Sequence, residues 1–431
     1  MRNMRLLLAA LVMALSFAAQ AGVKIEHWVA PSGARVYFIE SHDLPILDVE
    51  VDFPAGSAYD PAGKAGLAGL TAGLLEDGAG DLDEEAISSR LVDIGAMLNG
   101  QAGDDRAGVT LRTLAYPKER DAALALLQLI LGKPTFPEAV VAREKTRSIA
   151  AIQEADTRPD AIAAKRFAAA IYPDHPYGIS ATTDSVERIG RDDLVAFHRD
   201  HYAAPTAVVS IIGDVTRGEA EAIAQSLTAA LPAGQPEAPL PEVKLPKAET
   251  IKVAHPAAQS HIAIGLPAVR RGDPDYFALL VGNYTLGGGG FVSRLTKEVR
   301  EKRGFAYSVY SYFAPRKLEG PFQIGLQTRR DQAGAALKVA DDVLARFIKE
   351  GPTAAELAAA KQNLINGLGL RIDSNAKLLG YLSTIGFFGL PLTYLDDFPA
   401  RVEAVTARQV REAFARHVKS ENLVTVIVAG D

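Results

Sequence analysis

The sequence predicts an α+β protein built of two homologous domains, each an antiparallel-rich β-sheet with helices packed on one face. Three observations point there. Residues 197–214, FHRDHYAAPTAVVSIIGD, and 414–431, FARHVKSENLVTVIVAGD, share a helix end with His, a polar turn, a β-branched strand and a terminal Gly-Asp. These copies lie half a chain apart in 431 residues, which marks a duplicated domain, because solenoid repeats have periods of roughly 20–50 residues. Each half also runs from strand-rich to helix-rich, the order of an α+β layer structure.

In the first half, 34–41, 46–56 and 107–115 alternate as strands do, the last after the glycine-rich connection NGQAGDD at 99–105. Helical spacing of apolar residues covers 83–96, 117–132, 137–155 and 190–202, and the last begins with an acidic turn. The second half opens with a strand at 259–268 and a helix from 273. A second helix follows at 291–304, then strands at 306–313 and 321–329. Between the halves, LPAGQPEAPLPEVKLPKAE is rich in Pro and charge and reads as a semi-rigid linker. The expected organisation is therefore a leader at 1–21, a first domain at 22–230, a linker at 231–249 and a second domain at 250–431.

The leader reading rests on Arg2 and Arg5 ahead of an apolar run from Leu6 to Ala18, closed by the small-x-small AQA at 19–21. The run is shorter than the roughly 20 residues that a bilayer requires. A cleaved, periplasmic chain with no stable membrane anchor is expected. Cleavage removes two arginines and takes the net charge from −6 to −8, which disfavours nucleic acid as a partner. Cysteine is absent, so disulfides, thiolate catalysis and Cys-type zinc sites are excluded.

The segment 63–80, GKAGLAGLTAGLLEDGAG, reads as an amphipathic helix with Gly69 and Gly73 one turn apart. Each interior Gly costs roughly 1 kcal/mol relative to Ala, so the pair implies either close packing or a face whose work has lapsed. Of eight histidines only His198 and His201 are close, at a helix end where the dipole favours them. A metal site there, with Asp193 or Asp200, is the weaker reading. HPYG at 175–178 reads as a turn with a half-buried aromatic and no chemistry. LGGGGFVSRL at 286–295 lacks the Lys of a phosphate loop and the Rossmann spacing. Gly287, Gly288, Gly289, Gly290 and Phe291 instead suit a wall that an extended peptide can approach closely.

In EVREKRGFAYSVYSYF, 298–313, a basic helix end turns into a strand expected to place Tyr307, Val309, Ser311 and Phe313 on one face. Arg300 lies seven residues before Tyr307. A guanidinium fork and a phenol together suit a peptide carbonyl or a developing oxyanion. A solvated charge run beside an aromatic strand is the simpler alternative.

Taken together, the helix after AGSAYDPAGKAGLA, HPYG, the strand ending IIGDV and LGGGGFVSRLTKEVREKRGFAYSV resemble the pitrilysin and insulinase-like zinc peptidases, the inverzincins. The two-domain type that pairs subunits as mitochondrial processing peptidase does is the most similar. Members that cleave carry His-x-x-Glu-His on the first helix and a further Glu downstream, supplying three zinc ligands and a base. Here Gly69 and Gly73 stand at the histidine positions, Ala72 at the base, and Ala150 or Ala151 at the distal Glu. Glu76, Asp77 and Glu154 remain nearby and read as helix-end surface charges. The resemblance implies that this chain binds no metal and that zinc belongs to a catalytic partner subunit, the two enclosing a chamber. It further implies that Tyr307 donates a hydrogen bond to the scissile carbonyl and Arg300 holds substrate backbone, Arg303 being the competing arginine. The expected function is a non-catalytic subunit of a periplasmic heterodimeric zinc endopeptidase acting on peptide or unfolded protein. A non-proteolytic peptide-binding or scaffold protein is the alternative, and an independent enzyme using His198 and His201 a third.

Overall fold

The computed structural model of the chain describes residues 23–429. The leader reading, 1–21, and the closing Gly-Asp of the second repeat lie outside the described residues. Among those described, no helix is long and apolar enough to cross a membrane.

The first sheet contains β1 (Glu26–Val29), β2 (Arg35–Glu40), β3 (Ile46–Phe53), β4 (Met97–Ala102), β5 (Ala107–Leu114) and β6 (Val208–Gly213), in the order β1-β2-β6-β3-β5-β4. The second contains β7 (Glu249–Val253), β8 (Gln259–Val269), β9 (Ala306–Phe313), β10 (Gly320–Arg329) and β11 (Val424–Val428), in the order β9-β10-β8-β11-β7. In each sheet one parallel pair, β2 with β6 and β7 with β11, sits in an otherwise antiparallel array. The repeated sequence strands are β6 and β11, and they hold equivalent places. β4 takes in the start of the glycine-rich stretch expected to be a connection. A Cβ at Gly100 would lie 2.1 Å from the Ala72 carbonyl oxygen, so only glycine lets this edge strand close on its neighbouring helix.

Each sheet carries its own domain's helices on one face, as the alternation predicts. Over the central strands the opposite face receives a helix of the other domain. Helix Pro159–Ile171 lies on β8 and β11, and helix Asn375–Phe388 lies on β6, β3 and β2. Both crossings are close. A Cβ at Gly386 would meet the Tyr37 ring and Val208 at 2.7–2.8 Å, and one at Gly265 would meet Phe167 at 2.9 Å. The two apolar cores are thereby completed across the domain boundary: Phe167 packs with Val424, Val426 and Val428, while Leu379, Leu382 and Ile385 pack with Tyr37, Val208 and Ile212. Burial on both faces explains why β6 is an uninterrupted apolar run apart from Ser210.

HPYG reinforces this seam. Tyr177, expected half-buried, is buried because its hydroxyl donates to Asp105 and accepts from the Leu318 N–H at 3.3 Å. Asp105 also accepts from the Lys317 N–H at 2.8 Å, and the Arg316 guanidinium lies 4.7 Å from the Tyr177 ring centroid. His175 accepts from the Tyr177 N–H and donates through Nε2 to the Pro241 carbonyl at 3.0 Å, which pins the linker. Residues 231–248 form no helix or strand. They are tied again where Tyr59 donates to Glu237 at 2.6 Å and Asn422 to the Pro246 carbonyl at 2.6 Å.

Under helix Asn375–Phe388 the alternation of ILDVEVDF buries three carboxylates of β3 on one face. Asp48 is held by a two-point contact with Arg112 at 2.7 and 3.0 Å. Glu50 and Asp52 converge on the Ser383 hydroxyl, at 3.1 and 2.6 Å, with Arg106 at 3.2 Å from Asp52 and Gln101 at 3.2 Å from Glu50. Burial, then the Asp52 charge, pushes the Glu50 carboxyl up to about 7, and burial raises Asp52 as well. Glu50 therefore holds a proton that the unfolded chain releases near 4.5.

Two outcomes follow from this packing. A raised carboxyl contributes stability that is complete at low pH and is lost as pH rises from about 4.5 through 7. Glu50→Gln keeps a donor in place of the proton, so its melting temperature should change less between about pH 5 and about pH 8 than the parent's, measured by calorimetry. Gly386→Val overfills the crossing with Tyr37 and Val208 and should lower unfolding free energy by about 1–3 kcal/mol in urea titration.

Candidate functional site

The helix that carries Gly69 and Gly73 is short, Leu67–Gly73, and is started by Asp60, whose carboxylate oxygens accept from the Gly66 and Ala68 N–H groups, both at 2.7 Å. Burial pushes the Asp60 carboxyl up to about 6 against those two hydrogen bonds. Gly66 precedes the helix at φ +103°, a conformation that costs glycine little. Beyond its chain neighbours and the helix's own backbone, neither Gly69 nor Gly73 has an atom within 4 Å of where its Cβ would stand, so close packing is not what selects them. Both open onto a groove of about 400 Å³, whose far wall includes Ser148, Ala151 and Ile152 of helix Glu138–Ala155. Of the two distal positions expected, it is thus Ala151 that shares the groove with Gly69 and Gly73.

Ala72 is buried and its carbonyl abuts Gly100. Glu154 is exposed, whereas Glu76 and Asp77, expected as surface charges, are half-buried. Burial raises the pKa of both carboxyls, assisted by Asp77 for Glu76 and by Glu84 and Glu144 for Asp77. Of the groove's lining residues, Glu144 is the one carboxylate, and it is paired with Arg143 at 2.8 Å and Arg147 at 2.7 Å. Gly69, Gly73 and Ala151 offer no donor atom, so zinc does not fit here.

His198 and His201 do not form a site either. His198 is buried, bonded through Nε2 to the Leu131 carbonyl at 2.8 Å and stacked on Tyr202, and burial lowers its pKa to about 4. His201 instead packs against Phe197 and Tyr59. Among the described residues one other group, Asp273, Asp275 and His417, is spaced as metal ligands are. Its members are already engaged: Arg416 grips Asp275 at two 2.8 Å contacts, and the His417 nitrogens meet the Ala268 carbonyl and Asp275 at 2.7 and 3.0 Å.

The second-domain motif is assembled. Strict alternation along β9 fails at its start, where a bulge between Ala306 and Val309 inserts an extra residue opposite β10. Val309 and Ser311 face inward as expected, but Tyr307 is turned off their face and is 83% exposed. The Arg300 guanidinium lies 5.0 Å from the Tyr307 ring centroid and 5.0 Å from that of Phe291, which is 68% exposed. Such contacts are worth about 0.5–1 kcal/mol at exposed sites and fix the side chain's direction. Arg303 is spent on Glu298, through its carboxylate and its carbonyl, both at 2.7 Å. Arg300 makes no ion pair among the described residues.

The glycine loop divides. A Cβ at Gly287 would strike Ser311 at 2.4 Å, one at Gly288 Asn283 at 2.6 Å, and one at Gly289 the Tyr284 carbonyl at 2.6 Å. Those three seat the loop against its own domain, with Asn283 and Ser311 hydrogen-bonded at 2.7 and 3.0 Å beneath it. Gly288, Gly290 at φ +60°, and Phe291 are exposed. Sequence reasoning missed the Glu50, Asp52 and Arg106 cluster and the Tyr177 clamp. The signal available for the first was the polar alternation of ILDVEVDF.

A glycine-bearing first helix and an arginine-tyrosine pair, set in a repeated α+β fold, define a zinc-peptidase-like protein by class. Residues 35–185 match the insulinase domain of peptidase family M16, and residues 188–364 match the M16 inactive domain. The chain belongs to the M16 family. It is similar to a solved M16 inactive-domain protein of Pseudomonas fluorescens, at 37% identity and a TM-score of 0.91 over 95% of this chain and 98% of that one. It is also similar to a Helicobacter pylori protein named a non-peptidase homolog, 24% identical over 99% of both chains. A Streptomyces coelicolor protein named an uncharacterized zinc protease is 31% identical over 58% of this chain and 56% of its own.

Because both glycine Cβ positions are open, Gly69→Ala and Gly73→Ala should each raise unfolding free energy, by up to about 1 kcal/mol, through loss of unfolded-state freedom. Urea denaturation of the purified chain measures this.

Proposed function

We propose that this chain is an inactive M16 homologue that acts as the non-catalytic subunit of a heterodimeric zinc endopeptidase in the periplasm. The observation that carries this reading is the contrast between two surfaces of one chain. Three ligand positions without donors open on a groove, while Phe291, Arg300 and Tyr307 are stacked and presented to solvent. In this reading the partner holds the zinc, the Tyr307 hydroxyl donates to the carbonyl oxygen of the scissile bond as negative charge grows there, and Arg300 takes a substrate carbonyl through its N–H fork. The exposed Gly290 and Phe291 line the substrate's path.

The test is native purification of the complex, with peptide hydrolysis measured with and without chelator and beside the lone chain. A species of two chains with chelator-sensitive cleavage, absent from the lone chain, is expected. Tyr307→Phe in the assembled complex should lower turnover about 10²–10³-fold, and Arg300→Ala chiefly raise KM. Unchanged activity in both variants would exclude the reading. A second reading, a peptide-binding scaffold without proteolysis, is favoured by the full-length similarity to a protein named a non-peptidase homolog. A chain that purifies natively without a peptidase would select it.

A further inference from the structure

A cavity of about 190 Å³ lies in the second domain, where the loop after β8 meets the segment between helix Asn375–Phe388 and helix Tyr394–Ala404. None of its lining residues belongs to the Phe291, Arg300 and Tyr307 cluster or to the groove beside Gly69. Its walls combine apolar surface, from Phe277, Leu390 and Pro391, with Tyr276 and Tyr394 and with two arginines, Arg271 and Arg401.

The two cations are held by rings and are left without counter-ions. Arg271 lies 5.5 Å from the Phe388 ring centroid and Arg401 lies 5.4 Å from that of Phe277. Neither guanidinium forms an ion pair among the described residues. The Arg271 Nε–H is buried and has no hydrogen-bond partner, an arrangement that proteins rarely leave unanswered. Asp273, the one acid in the lining, is turned to its own loop, accepting from the Asp275 N–H at 2.8 Å and lying 3.8 Å from His417. Burial is the main cause that holds the Tyr394 phenol above its usual pKa, and neighbouring Tyr276 adds to the rise. The wall therefore presents positive charge and rings, with no free carboxylate.

We propose that this cavity binds a carboxylate carrying one apolar or aromatic group, the anion received by Arg271 and Arg401 and the apolar group placed among Phe277, Leu390 and Pro391. An Arg fork matches a carboxylate in two-point geometry. The volume falls below the roughly 300–1,000 Å³ of pockets for drug-sized ligands, so the occupant is about the size of one residue. That chemistry is offered both by the C-terminal residue of a peptide and by a small free aromatic acid.

Isothermal titration calorimetry on the full mature chain decides it, with four probes: N-acetylphenylalanine, its carboxamide, 3-phenylpropionate and the tripeptide Ala-Ala-Phe. Binding of at least one carboxylate probe, weakened tenfold or more by amidation and by Arg271→Gln or Arg401→Gln, is expected. Tighter binding of Ala-Ala-Phe than of 3-phenylpropionate assigns the site to peptide C-termini, and the reverse assigns it to free acids. Leu390→Trp, which fills the cavity while keeping both arginines, should abolish binding, and unliganded melting curves must show that each variant is folded. Failure of all carboxylate probes to bind, equal binding of the carboxamide, or indifference of folded arginine variants would overturn the proposal.

Discussion

The structure depends on a mutual exchange of helices across its domain boundary. Each sheet would expose an apolar strip over its central strands if only its own helices covered it. That strip is closed by Pro159–Ile171 on the second sheet and by Asn375–Phe388 on the first. Glycine at 265 and 386 sets how closely the layers meet. The Tyr177 clamp, the pinned linker and the buried Glu50 and Asp52 pair all lie along the same seam, so the geometry of the outer surfaces is inherited from it. An interface that contains buried acids as well as apolar side chains fixes the register of the two halves, because the Ser383 hydroxyl has one place in which it meets both acids.

Gly69, Gly73 and Ala151 line a groove and offer it no side-chain donor, while the bulge ahead of Val309 directs Tyr307 toward Arg300 and away from the core. The two surfaces lie on different domains, each held by its own sheet. The stability cost of these two helix glycines is small beside the burial across the seam, which is why the helix still folds.

Much of this organisation was legible in the sequence. The repeat at 197–214 and 414–431 gave the duplicated sheet, and the spacing of Arg300 and Tyr307 gave their proximity. What escaped has a physical reason in each case. β4 is built from Asn, Gly and Gln, and its place is set by the clearance that Gly100 provides beneath Ala72, a tertiary constraint without local pattern. Tyr307 leaves the face of its strand because of one extra residue, and a period-two reading has no means of seeing a bulge. Tyr177 and the acids of β3 were misjudged or passed over because the groups that bury them come from the opposite half of the chain. Polar alternation in ILDVEVDF states which side is polar, not that a helix more than 300 residues later will cover it.

The exchange of helices also sets an order of events during synthesis. The first sheet is complete once β6 has emerged, yet its lid, helix Asn375–Phe388, follows about 160 residues later. At translation rates of roughly 5–20 residues per second, Tyr37, Ile39, Val208 and Ile212 remain uncovered for on the order of ten seconds or more. The nascent first half is therefore an unfinished body with a bare hydrophobic strip, and its safe passage through that interval depends on whatever shields it before the chain can close upon itself.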